Sequence, residues 1–264
     1  MTAVQLRQSR PSPQISWEIL PADYILPDDP VDNTLQPLLA AALRESLELA
    51  GLILEANLIA TNFGLCSQVD DKIVVKAPDW VYIPSVQPVP TGEIRRSYTP
   101  HVEGDVPAIV MEFISETEGS EYSINPHYPY GKWYFYEKIL QVPVYAIFHP
   151  KAGKLDVYRL TEGKYQQQPA DEESHYWIEE LNLFLGVWQG KKAEQTAFWL
   201  RWWDQSKGLL LWGSEQVEQE RQRAEQERQR AEQERQRAEQ AGVELEQERS
   251  SSQRLAQKLR ELGG

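Results

Sequence analysis

Cysteine is almost missing from this chain, Cys66 being its only one. A lone thiol excludes an internal disulfide framework and a cysteine-based zinc site, and it makes a reducing cytoplasm the expected home. Long hydrophobic runs are missing as well. No segment approaches the roughly 20 apolar residues that span a bilayer, and Met1 to Ser9 carry no apolar stretch of signal-peptide type, so a soluble, cytoplasmic protein is expected. Positive charge is scarce: 27 Lys and Arg stand against 40 Asp and Glu, a net charge of -13. That sign argues against a protein that coats itself on nucleic acid through phosphate contacts. A small site is still allowed, because bound cations and a few local lysines can offset the field close by. Histidines are few: His101, His127, His149 and His175 are scattered without metal-ligand spacing or a nucleophile partner, and none is assigned catalysis.

What is present is enough for one sizeable core and an appendage: 264 residues, 41% of them hydrophobic. Residues 1–35 are rich in Pro and Asp and read as an irregular lead-in, with a strand candidate at Ser16 to Leu20. Leu35 to Ala50 carries leucines at helical spacing and stops at Gly51, which predicts a first core helix. Short apolar or alternating runs follow at Leu52 to Leu58, Ile73 to Val75, Trp80 to Ile83, Ala108 to Ile114, Val142 to Phe148 and Leu155 to Leu160, and these read as strands. Gly131 to Leu140 has the composition of a short helix between two of them, a strand-helix-strand crossover. The class expected for residues 36–213 is therefore α/β, a mixed sheet flanked by helices.

Residues 214–264 differ in kind. The segment Glu-Arg-Gln-Arg-Ala-Glu-Gln recurs from Glu220, Glu227 and Glu234, a seven-residue period of strong helix formers. Val217, Ala224, Ala231, Ala238 and Leu245 share one heptad line, but the line three positions on holds Glu220, Glu227 and Glu234. A coiled coil wants both lines apolar. The repeat reads as a long solvated helix held by pairs such as Arg221 with Glu225 and Arg223 with Glu227. Leu255, Leu259 and Leu262 offer a route to a homo-oligomer through a short coiled coil at its end.

Two carboxylates interrupt the apolar runs: Asp79 in Pro78-Asp79-Trp80-Val81, and Glu112 in Val110-Met111-Glu112-Phe113. An ionised carboxylate in a dry strand is costly unless it is paired, exposed or bound to a metal. The bland alternatives are a turn residue after Pro78 and an edge-strand charge facing water. Phosphodiester hydrolysis needs a hard cation on oxygen ligands and a positive group to offset charge on the transition state. Asp79 and Glu112 supply such ligands, the carbonyl of Phe113 a third oxygen, and Lys132 the ammonium, with Arg95, Arg96 and Lys138 as the other cations near the centre. Glu45 and Glu48 on the first helix are candidates for a further ligand, although a solvated helix face explains them better. Trp199, Trp202, Trp203 and Trp212 read as packing more readily than as a base-stacking surface.

Asp79 with Trp80 and Val81, Glu112 before Phe113-Ile114-Ser115, and Lys132 followed by Tyr136 and Val142 to Pro150 together resemble the Uma-two family of restriction endonucleases, abundant in cyanobacteria. The resemblance covers roughly residues 50 to 190. It implies the PD-(D/E)xK nuclease fold, with Asp79 and Glu112 binding magnesium, manganese as a substitute, Lys132 assisting, and DNA as the partner. The expected function is a metal-dependent endonuclease acting on DNA; the alternative is a nuclease-derived module that does not cut and uses its C-terminal helix to bind partners. The chain departs from the family pattern in places. Ile114 stands two after Glu112, so the lysine has moved to Lys132. Glu116 to Tyr130 is an added acidic and aromatic stretch, with Asn125 and His127 where the family has an aspartate, and the first helix lacks the family's histidine.

Overall fold

Ala108 to Ile114 reads as a strand, and in the computed structural model of the chain the strand runs Ile109–Phe113 and is buried along its whole length, Glu112 included. The structure describes residues 14–19, 34–114 and 121–262. In chain order the elements are β1 (Ile15–Ser16), α1 (Gln36–Leu49), β2 (Leu58–Ala60), β3 (Gly64–Val69), β4 (Lys72–Lys76), β5 (Trp80–Ile83), β6 (Ser97–Tyr98) and β7 (Ile109–Phe113). Then come α2 (Lys132–Tyr134), which runs on as a π-helical stretch (Phe135–Leu140), β8 (Val144–His149), β9 (Lys154–Thr161), β10 (Lys164–Gln167), β11 (Tyr176–Ile178), β12 (Leu183–Lys192), β13 (Gln195–Trp203) and α3 (Gly213–Leu262).

A central six-stranded sheet has the order β10-β9-β8-β7-β5-β2. Its one parallel pair is β7 with β8, with Glu112 opposite Ile147; the other pairs are antiparallel. A parallel pair requires a crossover, and α2 with its π-helical continuation supplies it. A four-stranded sheet runs β1-β3-β4 with β6 beside β3, and β11-β12-β13 form a third.

The strand period of two sorts the core into two layers. Ile109, Met111 and Phe113 of β7, Val144, Ala146 and Phe148 of β8, and Trp80 of β5 pack with Leu39, Leu43 and Leu47 of α1 and with Trp199, Trp202 and Trp212. On the other face Val110, Tyr145, Ile147, Val81 and Ile83 meet Phe135, Tyr136, Ile139 and Leu140 of the crossover and Leu65 and Val69 of β3. Glu112, between Met111 and Phe113, belongs by alternation to this second face.

The expected mixed α/β class, with a long C-terminal helix, is the architecture observed. Several elements differ. The strand expected over Leu52 to Leu58 begins only at Leu58, because Asn57 accepts the Leu54 N–H at 2.7 Å and closes a turn there. The strand candidate at Ser16 to Leu20 is β1 at Ile15–Ser16, and Leu20 and most of the 1–35 lead-in lie outside the described residues. Three of the four tryptophans pack: Trp199, Trp202 and Trp212 are buried in the first core.

The contacts divide the chain into two units, Met1–Trp212 and Gly213–Gly264. In the second, α3 is exposed from Val217 onward among the described residues, with Val217 57% and Leu255 62% accessible; the side chains of Leu259 and Leu262 lie outside the described set. Its ladder is only partly the expected one. Gln222, Gln229 and Gln236 donate to Glu218, Glu225 and Glu232, each four residues earlier, and Arg235 pairs with Glu232 at 3.2 Å. Glu225 thus takes Gln229 rather than Arg221. Such exposed pairs contribute only about 0.2–0.5 kcal/mol each.

Leu43 is fully buried between α1 and the sheets. Leu43→Ala is expected to cost about 2–5 kcal/mol of stability, read as a lower urea midpoint at unchanged slope.

Candidate active site

Asp79 occupies the bend that enters β5, and the β5–β7 register sets Trp80 opposite Met111. This pairing carries Asp79 to the end of β7, where its carboxylate accepts the Phe113 N–H. Glu112 is 0% exposed on β7, an interior strand between β5 and β8, so it is not an edge charge facing water. Its Oε2 accepts from Lys132 Nζ at 2.9 Å, and its Oε1 accepts from the Tyr136 hydroxyl at 3.0 Å. Lys132 and Tyr136 are four apart in the crossover helix and so project from one face. Asp79, Glu112 and Lys132, three strangers in the sequence, are brought together.

Burial dominates the electrostatics. It pushes the Glu112 carboxyl up to about 8, against the pull of the Lys132 ammonium and with help from the Asp79 charge. For Lys132, burial is the largest influence and acts to lower the pKa, but the charge and hydrogen bond of Glu112 together with the charges of Asp79 and Glu121 outweigh it, and the net shift is upward. The Tyr136 phenol is raised well above its ordinary value by burial and then by Glu112. Lys132 therefore stays an ammonium among carboxylates, and Glu112 is the member of the pair poised to change charge.

The Phe113 carbonyl accepts a hydrogen bond of 2.7 Å from Gln36 Nε2. Gln36, buried in the first turn of α1 ahead of Pro37, is a residue that sequence reasoning missed; a polar side chain opening an apolar helix was the available signal. Glu45 and Glu48 turn elsewhere, Glu45 to Lys192 and Glu48 to Arg44 at 3.9 Å. Arg95 is spent on Glu103 and the Gln87 carbonyl, and Lys138 on Glu137 and the Gly163 carbonyl, so neither reinforces Lys132. Asn125 folds its own loop, donating to the carbonyls of His127 and Pro129, and its amide is satisfied there. Glu121, overlooked in the sequence, is the further acid whose charge reaches Lys132. Residues 115–120 of the added stretch lie outside the described set.

The donor set suits a hard divalent cation: two carboxyl groups and a carbonyl at one strand end, with the Lys132 ammonium beside them. Glu112 and Phe113 already accept hydrogen bonds, but each of these oxygens has a second lone pair. A second grouping, Asp171, Glu173 and His175, has its ligand atoms within 4.8 Å of one another. There the Lys207 ammonium already bonds Asp171 and lies 3.8 Å from Glu173. That grouping precedes β11 of the third sheet, which packs into the first core, opposite the face that carries Glu112.

A central mixed sheet with a parallel pair, a helical crossover, and acids and a lysine at the strand ends is the restriction-endonuclease-like class of α/β protein. The chain belongs to the Uma2 family, described as putative restriction endonuclease, whose family model matches residues 24–190. No curated protein matches it. Among the described residues no helix is long and apolar enough to cross a membrane.

Because folded Glu112 holds its proton to about pH 8 while the unfolded chain releases it near 4.5, the native state binds the extra proton in between. Stability is then fullest below pH 4.5 as far as this group is concerned, and falls as pH rises toward 8. In metal-free buffer, urea midpoints of the wild type should drop across that window by the equivalent of a few kcal/mol. Glu112→Gln should flatten the drop; an unchanged profile in the variant would assign it to another group.

Proposed function

We propose that the protein is a magnesium-dependent endonuclease that hydrolyses phosphodiester bonds in DNA, with manganese as an alternative ion. Asp79, Glu112 and the Phe113 carbonyl would hold the metal, and Lys132 would assist. The observation that carries this reading is the buried contact between Lys132 and Glu112 beside a second carboxylate, Asp79, at the end of β7. A buried ion pair is weak as a stabilising device, since desolvation takes back much of the Coulomb gain. Its retention there makes more sense as a reactive group than as a strut. Membership of a restriction endonuclease family supports the nuclease class.

When bound, the metal supplies Lewis acidity at the phosphate and a more acidic water. The chain's own groups do the rest. Glu112 takes one hydrogen of the Lys132 ammonium, and the others are available to a phosphate oxygen or to the attacking water. Tyr136 fixes the second oxygen of Glu112, so the carboxylate is held before substrate arrives and little reorganisation remains. Asp79 is held by the Phe113 N–H in the same way, and Gln36 anchors the carbonyl of that same residue. The cytoplasmic location rests on the single cysteine, and self-association on the exposed Leu255 of α3.

A second reading, a nuclease-derived module that does not cut, is favoured by the net charge of -13 and by the engagement of Arg95 and Lys138 elsewhere. The two separate in one set of experiments. Cleavage of plasmid DNA in magnesium or manganese should fall by about a hundredfold or more in Asp79→Asn, Glu112→Gln and Lys132→Met. The metals should raise the melting temperature of the wild type but not of Glu112→Gln, because a ligand of the folded state alone must stabilise it. Wild-type cleavage in any of the three variants would remove that residue from the site. Absence of both cleavage and metal stabilisation in the wild type would favour the module.

A further inference from the structure

The face of the central sheet that carries Glu112 holds a second polar group that the reading above leaves unused. Glu112 pairs across the sheet with Ile147, and Ile147 with Asp156, so the three form one row over β7, β8 and β9. His149 is two residues beyond Ile147 and therefore on the same face, its Cα about 8 Å from that of Glu112 by strand spacing. It is also the last residue of β8, at the carboxyl end of the parallel pair, where open α/β sheets bind their ligands.

The surroundings of His149 are built in depth. Asp156 is 4% exposed, and its carboxylate accepts from Lys154 at 2.7 Å, Gln167 at 3.2 Å and the Tyr122 hydroxyl at 3.3 Å. Those three donors satisfy it without His149, whose Nε2 is 3.9 Å away. His149 Nε2 instead lies 3.0 Å from the Tyr122 oxygen. Since a carboxylate only accepts, Tyr122 gives its proton to Asp156 and its oxygen receives the Nε2–H of His149. The tautomer is thereby set, and Nδ1 points away from Tyr122 with no partner among the described residues. The His149 side chain is 17% exposed, so this nitrogen can be reached. Tyr122 stacks on Trp133, the neighbour of Lys132, with ring centroids 6.3 Å apart, which ties the histidine to the helix end that presents the ammonium.

We propose that His149 is a substrate-contacting residue of this site. Its Nδ1–H donates to a non-bridging phosphate oxygen of a nucleic-acid strand seated against Lys132, and Tyr122 and Asp156 are positioning residues that hold the ring. Nδ1 takes this proton from solvent as the phosphate docks, so the bound ring donates from Nε2 to Tyr122 and from Nδ1 to the phosphate, with the Asp156 carboxylate behind it. Apart from that N–H bond, no covalent bond is made or broken in this contact. It addresses the shortage of cations at the site, since Arg95 and Lys138 are committed elsewhere. The inference rests on the nuclease reading for the nature of the ligand.

The test is a titration of the full-length protein with a short oligothymidylate in calcium, followed by the histidine ring nitrogens in NMR, the His149 signals being those missing from His149→Gln. The expected result is a shift of the His149 ring nitrogens and an oligonucleotide affinity about tenfold weaker in His149→Gln, the size of one charge-assisted hydrogen bond. Tyr122→Phe should move the His149 ring signals before any ligand is added, which a merely structural tyrosine would not do. A stationary His149 while the strand binds, or no binding up to millimolar oligonucleotide, overturns the proposal. Cleavage in magnesium is scored separately. A cutting enzyme with a stationary His149 would refute this contact and keep the nuclease reading; a shifting His149 in a protein that never cuts would do the reverse.

Discussion

A carboxylate with no accessible surface, in the middle of a sheet, is the constraint from which much of this structure follows. Glu112 must be met by donors, and donors can come only from whatever covers that face of β7. The covering element is the helical crossover demanded by the parallel β7–β8 pair, and it brings Lys132 and Tyr136 one turn apart onto the two oxygens. Topology and electrostatics are in this way solved by one segment. The bend at Asp79 completes the arrangement from the neighbouring strand and adds a charge that helps to raise the Glu112 pKa.

The two faces of the central sheet divide the labour. The first face is packed with leucines from α1 and tryptophans from β13, and the buried Arg201 stacks on Trp212 of the same core. The second mixes aliphatic groups with tyrosines whose hydroxyls reach polar partners: Tyr136 to Glu112, Tyr145 to the Glu121 carbonyl, Tyr165 to the Val142 carbonyl. Tyrosine contributes a large apolar body and a polar tip, which lets a face carry buried carboxylates without leaving them unpaired.

Much of this was legible in the sequence for a physical reason. Asp79, Glu112 and Lys132 stood out because each was a charge at the border of an apolar run, and the price of burying charge makes such residues conspicuous. Gln36 and His149 did not stand out, because a neutral amide or imidazole is common anywhere and acquires meaning only from its partners. The β12–β13 hairpin was hidden for a different reason. Its turn is made by Ala193 and Glu194, both at positive φ, where the usual signal would be Asn or Gly. The tail was legible as a helix from its period, but the side chains that bond along it could not be chosen between arginine and glutamine, since both reach a glutamate one turn back.

The family match ends at residue 190, inside β12, whereas the strand that β12 pairs with begins at Gln195. Trp199, Trp202 and Trp212 all lie beyond that boundary and all are buried against α1 and the sheets. The matched segment and the packed interior are thus not the same length. A recombinant fragment trimmed to the family boundary would expose three tryptophan-sized holes and an unpaired strand edge, the combination that favours aggregation over folding. The smallest piece with an intact interior ends after Trp212.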